Sequence, residues 1–353
     1  MANEAIGMER TVRIGIVGTG TISRAHARGL EACENVELAA CCDIVPEAVA
    51  RFAEEQKIET TFTDVNELVK MDGLDAVIIS TPPFAHKEPV IAALESGKHV
   101  LCEKPFAMNA AEAEAMAAVS RKTGKYLAVC CSRNRFTPVA GVTREVIGSG
   151  VLGDVYHAKL VFLRRRGRPG FDILEDSKWF LDFNRAGGGV IADLGHYHLD
   201  LMLDYLGWPD VLSVAANVTH NRIEPHVPSE IKNDVEEHVD AYIRLAGGLT
   251  LSWEVSWITH MEGANGVWLY GTRGGLRVAD GLVQFHDQNG RPVETHVPVP
   301  DRQRGGGGVT KGFVDALRAG EEPVTTADQG VVISKIVDAI YESSKTGAEV
   351  RIG

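Results

Sequence analysis

From residue 13 to residue 130 the chain alternates short apolar runs with longer stretches of helical periodicity. The apolar runs cover 13–17, 36–42, 76–79, 99–102 and 126–130, and their near-continuous hydrophobicity predicts parallel strands covered on both faces. Between them, amphipathic spacing predicts helices over 23–30, 46–55, 64–70, 85–96 and 109–123. Pro46 suits a first helical turn, and Gly97 and Gly124 suit C-terminal stops. This is the rhythm of βαβ units.

After Cys131 the rhythm changes. Alternating segments at 155–163, 211–218, 235–245, 249–257 and 266–270, broken by turns such as Gly247-Gly248 and Gly274-Gly275, predict a mostly antiparallel sheet. Helices are expected over 190–206, 311–319 and 327–344, and a glycine loop over 305–308, too short for an interdomain linker. The fold class is therefore α/β: a doubly wound parallel sheet over 1–131, then an α+β domain with a large, mostly antiparallel open sheet over 132–353.

Composition narrows the function. The chain has 353 residues, 44% of them hydrophobic, with 36 Lys+Arg against 48 Asp+Glu, a formal charge of −12. That length suits two domains, and the acidic balance argues against nucleic acid or an anionic membrane as partner. No apolar stretch reaches the roughly 20 residues of a membrane span, and the N-terminus has no hydrophobic signal core. The six cysteines show no CxxC spacing, and five lie in or beside apolar runs, as buried reduced thiols do. A soluble cytoplasmic protein is expected.

The first strand runs into Gly18-Thr19-Gly20-Thr21-Ile22-Ser23 and then a helix. Glycines at such a turn let backbone approach a pyrophosphate, which the helix N-terminus favours. Ser23 replaces the third glycine of GxGxxG and is small enough for close helix–strand packing. Asp43 ends the second strand, where a carboxylate accepts the adenosine ribose hydroxyls and repels a 2′-phosphate, favouring NAD over NADP.

Three more motifs follow: Ser80-Thr81-Pro82-Pro83 with His86, GKHVLCEKP ending in Glu103-Lys104-Pro105, and Gly187-Gly188-Gly189 leading to Asp193, Gly195, His196, Tyr197, His198 and Asp200. With the glycine turn, this ordered set, spanning nearly the whole chain, resembles the Gfo/Idh/MocA oxidoreductases, named for glucose–fructose oxidoreductase and inositol dehydrogenase. The resemblance implies a Rossmann domain and an α/β domain whose open sheet mediates oligomerisation, hence a homodimer or homotetramer. It implies NAD(P) across the C-terminal strand edge, contacted by Gly18, Gly20, Thr21, Ile22, Asp43, Ser80, Thr81, Pro83 and His86. Glu103-Lys104-Pro105, often with a cis proline, would lie at the nicotinamide end, Lys104 would be catalytic and Asp193 would hold substrate. Arg133 and Trp179 fall where members approach nicotinamide or substrate.

The residue chemistry agrees with that reading. Oxidising a carbinol moves a hydride to nicotinamide while a base takes the hydroxyl proton, and a nearby ammonium such as Lys104 stabilises the developing alkoxide. The family usually has His four residues after the motif Asp; here position 197 is Tyr, as in the glucose–fructose oxidoreductase and dihydrodiol dehydrogenase branches. On a regular helix Asp193, His196, Tyr197 and Asp200 form one polar stripe, with His198 pointing away. Register favours Tyr197 as acid/base, its phenol acidified by Lys104, with His196 the runner-up. No metal is expected, because His196 and His198 diverge by roughly 200° on a helix; His196 with Asp200 could chelate an ion, but the family's redox chemistry needs none.

The basic run 164–168 could meet a carboxylate, a phosphate or sugar hydroxyls, or be a solvated loop or a subunit contact; Trp253 and Trp257 share one strand face, as core or as a sugar platform. The expected activity is NAD(H)-dependent dehydrogenation or reduction of a sugar, cyclitol or related polyol. The alternatives are an NAD-dependent glycoside-cleaving enzyme working by transient oxidation and elimination, and a non-catalytic dinucleotide-sensing regulator.

Overall fold

The computed structural model describes residues 5–261, 265–299 and 308–352. The chain divides into two compact units, Met1–Arg133 with Gly305–Ser334, and Asn134–Arg304 with Lys335–Gly353. A cut at Cys131 would leave 305–334 in the second domain; the structure returns that segment to the first unit. Most of the expected 305–308 loop lies outside the described residues.

The first unit runs β1 (Val12–Val17), α1 (Thr21–Glu31), β2 (Val36–Cys42), α2 (Pro46–Gln56), β3 (Thr60–Phe62), α3 (Val65–Leu68), β4 (Ala76–Ile79), α4 (Lys87–Glu95), β5 (His99–Cys102), α5 (Ala110–Thr123) and β6 (Leu127–Val129). The strands form a parallel sheet in the order β3-β2-β1-β4-β5-β6. The order reverses between β1 and β4, and in such sheets ligands bind beyond the strand C-termini at that switch point. Four strand residues each in β4 and β5 are fully enclosed, as their unbroken apolar runs require. The short edge strand β3 has no such run: only half covered, its Thr-Thr-Phe carries no hydrophobic signature. Asp64 and Asn109 cap α3 and α5 with their side chains, and Gly124 (φ +66°) ends α5 in the left-handed region.

The second unit continues with α6 (Pro138–Gly148), β7 (Val155–Leu163), α7 (Phe183–Ala186), α8 (His196–Tyr205), β8 (Val211–Thr219), β9 (His238–Leu245), β10 (Thr250–Ser256), β11 (Gly266–Gly271), β12 (Gly274–Val278), β13 (Leu282–Gln288) and β14 (Arg291–Val297). The chain closes with α9 (Gly308–Ala319), α10 (Ala327–Thr346) and β15 (Val350–Arg351). Nine strands order as β14-β13-β12-β11-β7-β10-β9-β8-β15, antiparallel except for the β7–β10 pair. β9 alternates strictly: Val239, Ala241, Ile243 and Leu245 are buried and the residues between are not. Val239, Ile243 and Leu245 each contribute roughly 1.5–3 kcal/mol on burial.

α9 packs its Phe313, Val314 and Leu317 into the same core as Val12, Ile14, Ile16 and Phe52, which is why that late segment belongs to the first unit. None of the six cysteines is in a disulfide, and five are buried; burial pushes the Cys42 thiol up to about 12. Among the described residues no helix is long and apolar enough to cross a membrane.

Candidate active site

The glycine turn is locked from below. Gly18 has φ +88°, and a Cβ there would stand 2.7 Å from the Ser80 carbonyl carbon and 2.8 Å from Thr81 N. Its N–H donates to the Cys42 carbonyl at 2.8 Å, and Ser80 Oγ donates to the Gly18 and Val17 carbonyls. Gly20 is different: a Cβ there would meet nothing within 4 Å, so the open space above the α1 N-terminus is of the kind a pyrophosphate fills. Ser23 is fully buried and donates to the Gly20 carbonyl, while Thr21 and Ile22 are exposed beside the opening.

Asp43 accepts Thr19 N (2.8 Å), Thr19 Oγ1 (2.9 Å) and Val45 N (3.0 Å), so its carboxylate is fixed against the turn. Ile44 and Val45 follow it, 87% and 47% exposed. This apolar rim drew no notice in the sequence; an exposed Ile directly after a strand-end Asp was the available signal. These residues fit a dinucleotide: a glycine cradle, a fixed carboxylate, and apolar surface beside it.

Thr81 Oγ1 donates to the Ala85 carbonyl, and Pro83 opens a short 3-10 turn. His86, expected to line the cofactor, is instead wholly enclosed. Its Nε2 lies 2.8 Å from the Thr81 carbonyl and its Nδ1 3.3 Å from that of Phe106, and burial lowers its pKa. It braces the two strand-end loops and offers no surface to a ligand. Glu103, at the end of β5, is buried; the Lys104–Pro105 peptide is cis, and Lys104 is half-buried. Arg133 is exposed on the 3-10 turn Cys130–Phe136.

In the second unit the triple glycine admits one side chain and one stretch of backbone. A Cβ on Gly188 would stand 2.2 Å from the Tyr341 hydroxyl, and one on Gly189 would stand 1.9 Å from the Glu236 carbonyl oxygen. The wholly buried Glu236 carboxylate accepts the N–H groups of Gly189 and Ile191 at 2.9 Å and the Tyr341 hydroxyl at 2.8 Å. A carboxylate there satisfies orphan donors at the helix start. Burial nonetheless raises its pKa, against those hydrogen bonds. Glu236 was missed in the sequence because it lies far from the motif it caps.

The expected regular helix over 190–206 begins with a π-helical turn, Ile191–Gly195, before α8. Its i→i+5 bonding breaks the 3.6-residue register that placed Asp193, His196, Tyr197 and Asp200 on one stripe. Asp193 Oδ2 accepts Trp257 Nε1 at 2.9 Å, with Arg164 Nη1 3.8 Å away. His196 is buried with Nδ1 3.2 Å from the Ile191 carbonyl, and Tyr197 is 7% exposed. His198 packs against Phe162 and Trp253. Asp200 leaves the stripe altogether: fully buried, it takes a two-pronged 2.7 Å grip from Arg135. Its oxygens are therefore committed to an arginine, which removes the His196–Asp200 chelate.

Of the basic run, Arg166 and Arg168 both bind Asp172, with Arg168 buried, so they shape the loop; Arg164 turns to Asp193. Trp253 and Trp257 are both buried, which excludes a sugar platform. A Cβ on Gly195 would stand 2.7 Å from Trp253, so the π turn sits directly on β10. Trp179 stacks on Phe180 at 4.0 Å. Among the described residues, two groups bring donor atoms within 4.8 Å of one another as a metal site does, His26–Glu103–Cys130 and His238–Asp240–Glu254.

Known proteins match both halves. A family model described as an oxidoreductase family with an NAD-binding Rossmann fold matches residues 12–130, and the Gfo/Idh/MocA C-terminal domain matches 142–277. The chain belongs to the Gfo/Idh/MocA oxidoreductase family. Among this family's members, the D-glucoside 3-dehydrogenase of Escherichia coli (strain K12) is 28% identical over 352 residues, 97% of each chain. The 1,5-anhydro-D-fructose reductase of Ensifer adhaerens is 27% identical over 97% of this chain and 99% of its own. A solved levoglucosan dehydrogenase, in complex with NADH and levoglucosan, superposes with a TM-score of 0.83 over 97% of this chain and all of its own, at 23% identity, a likeness of fold. The protein is thus a Gfo/Idh/MocA enzyme of the dehydrogenase and reductase class acting on CH–OH groups, with an NAD-binding Rossmann domain.

Proposed function

We propose that this enzyme exchanges a hydride between NAD(H) and a carbinol or ketone carbon of a sugar, cyclitol or related polyol. The observation that carries this reading is the fixed Asp43 carboxylate beside the open Gly20 turn, in a chain whose full-length relatives are named for sugars. Bound nicotinamide supplies the hydride acceptor or donor. Lys104 holds the reacting oxygen with its ammonium, and Tyr197, or His196 in its place, takes and returns the hydroxyl proton. Asp193, fixed by Trp257, accepts a substrate hydroxyl.

NAD is preferred to NADP because the Asp43 carboxylate repels a 2′-phosphate and the residue after it, Ile44, is apolar and offers no compensating cation. We place Gly18, Gly20, Thr21, Ile22, Ser80, Thr81, Pro83, Glu103, Arg133 and Trp179 in or around the cofactor site. The working form is a homodimer or homotetramer in the cytoplasm.

The test is an NADH-absorbance screen across aldoses, inositols, uronates and glycosides, run with NAD and with NADP. Turnover with NAD is expected, with Asp43→Ala relaxing the cofactor preference. Lys104→Ala and Tyr197→Phe should each cut turnover at least ~100-fold. Full activity in Tyr197→Phe would move the proton to His196, and a wild-type preference for NADP would reject the Asp43 argument.

A further inference from the structure

Two adjacent glutamates, Glu236 and Glu237, immediately precede β9 and are closed to water, at 0% and 3% exposure. A carboxylate taken out of water needs donors in its place. Glu236 finds them in the triple-glycine segment. Its Oε1 accepts the N–H groups of Gly189 and Ile191, both at 2.9 Å. Its Oε2 shares the Gly189 N–H and accepts the Tyr341 hydroxyl at 2.8 Å. The Glu236 main-chain carbonyl takes the N–H that lies between, that of Val190, at 3.0 Å. Three successive peptide groups thus end on one residue. The contact is so close that a Cβ on Gly189 would stand 1.9 Å from the Glu236 carbonyl oxygen, and only glycine fits there.

That segment carries Asp193. The Asp193 N–H donates to the Gly189 carbonyl at 2.9 Å, so its main chain hangs from the clamped residues. Its carboxylate is oriented by the Trp257 indole at 2.9 Å, and the Trp257 main-chain N–H donates to the Glu237 carbonyl, also at 2.9 Å. Main chain and side chain of Asp193 are therefore both referred to one dipeptide. The Glu237 side chain anchors that dipeptide in turn: Oε1 accepts the Arg222 and Ile223 N–H groups at 2.7 and 3.0 Å, and Oε2 lies 3.5 Å from the Arg168 guanidinium. The Asp193 side chain is 17% exposed, so of the three carboxylates it is the one a ligand can reach.

We propose that Glu236 and Tyr341 are positioning residues for Asp193, acting by reach rather than by charge: Glu236 sets where residues 189–191 lie, and with them the Asp193 carboxylate, while Tyr341 holds Glu236. The proposal rests on the reading of Asp193 as the acceptor of a substrate hydroxyl. It gives α10 a task at the substrate site, because its Tyr341 steadies the residue that steadies Asp193.

The Trp257 indole reports the Asp193 position and needs no substrate. In isotopically labelled protein the five tryptophans give five indole N–H resonances by NMR, and Trp257→Phe identifies the one bonded to Asp193. Asp193→Ala marks where that resonance lies once the carboxylate is gone. Glu236→Asp keeps the charge and shortens the side chain by one methylene, so the 189–191 segment must follow it or lose it. The Trp257 resonance should then move toward its Asp193→Ala position. Glu236→Gln keeps the length and drops the charge: its amide oxygen still accepts from Gly189 and Ile191, its amide nitrogen donates to the Tyr341 oxygen, and the resonance should stay at its wild-type place. Tyr341→Phe, which frees one side of the carboxylate, should move it as Glu236→Asp does, but less far. Leu276→Ala opens a cavity beside β12 in the same sheet; it costs stability without touching these bonds and should leave the resonance where it is.

A resonance unmoved in folded Glu236→Asp, or moved as far in Glu236→Gln as in Glu236→Asp, overturns the proposal. If Glu236→Asp does not fold, Tyr341→Phe carries the test, and an unmoved resonance there overturns it. Full turnover in Asp193→Ala would instead overturn the reading of Asp193, and with it the use of this clamp in the reaction, while the indole shifts stand.

Discussion

The indole Nε1 of Trp257 donates to Oδ2 of Asp193 at 2.9 Å, joining a fully buried residue just past the end of β10 to the π turn that precedes α8. Arg164, 3.8 Å from the same oxygen, adds positive charge on that side. The carboxylate is thus oriented by a donor that cannot itself ionise.

Trp257→Phe keeps an aromatic ring but deletes the donor together with the five-membered ring that carries it, leaving a small cavity at this fully buried position. A hydrogen bond to a charged group contributes about 1.5–3 kcal/mol, so kcat/KM for the sugar or polyol should fall roughly 10- to 100-fold. NADH affinity, followed by fluorescence titration, should not change. Loss of NADH binding along with turnover would mean that Trp257 supports the fold rather than Asp193.

Asp200→Asn separates stability from chemistry. The change leaves Arg135 buried with half its partner, and breaking such a pair costs about 3–5 kcal/mol. Urea denaturation should show that loss, while the fraction still folded at low temperature keeps most of its turnover. A stable but inactive variant would give Asp200 a part in the chemistry.

His99 makes the fold acid-sensitive. It is buried at the start of β5 with Nδ1 accepting the Tyr126 N–H at 3.0 Å; burial, then the Lys125 charge, lower its pKa from 6.5 to about 4. Below pH 6.5 the unfolded chain takes a proton that the folded one refuses until about pH 4. Stability is therefore full above pH 6.5 and falls across that window, by about 3 kcal/mol at most. In His99→Gln, the stability difference between pH 7 and pH 5 should shrink by about 2 kcal/mol. An identical pH dependence in both proteins would show that His99 does not titrate differently on folding.

Much of the first unit was legible because its strands are buried on both faces: a run such as Val77-Ile78-Ile79 has no other stable place. The glycine turn and Asp43 were legible because their meaning lies in local order along the chain. The edge strand β3 was not, since half-exposed threonines carry no periodicity, and β12 to β14 were hidden among polar and glycine residues for the same reason. The register expected for the helix over 190–206 failed at one place. Nothing in Ile191–Gly195 announces a π turn; Gly189 and Gly195, pressed against Glu236 and Trp253, fix the segment from outside.

By itself, then, the sequence determined the parallel nucleotide-binding sheet and the family. Strand burial and motif order are properties of neighbours along the chain. Only the tertiary structure decided which charged groups are buried against partners. Along the chain Asp200 read as part of a polar stripe, Arg168 as part of a basic run and His86 as a cofactor contact, while Glu236 and His26 drew no notice. Whether each meets solvent or a buried partner depends on segments far away in sequence, such as α9, α10 and the 164–172 loop, and no local spacing encodes that meeting.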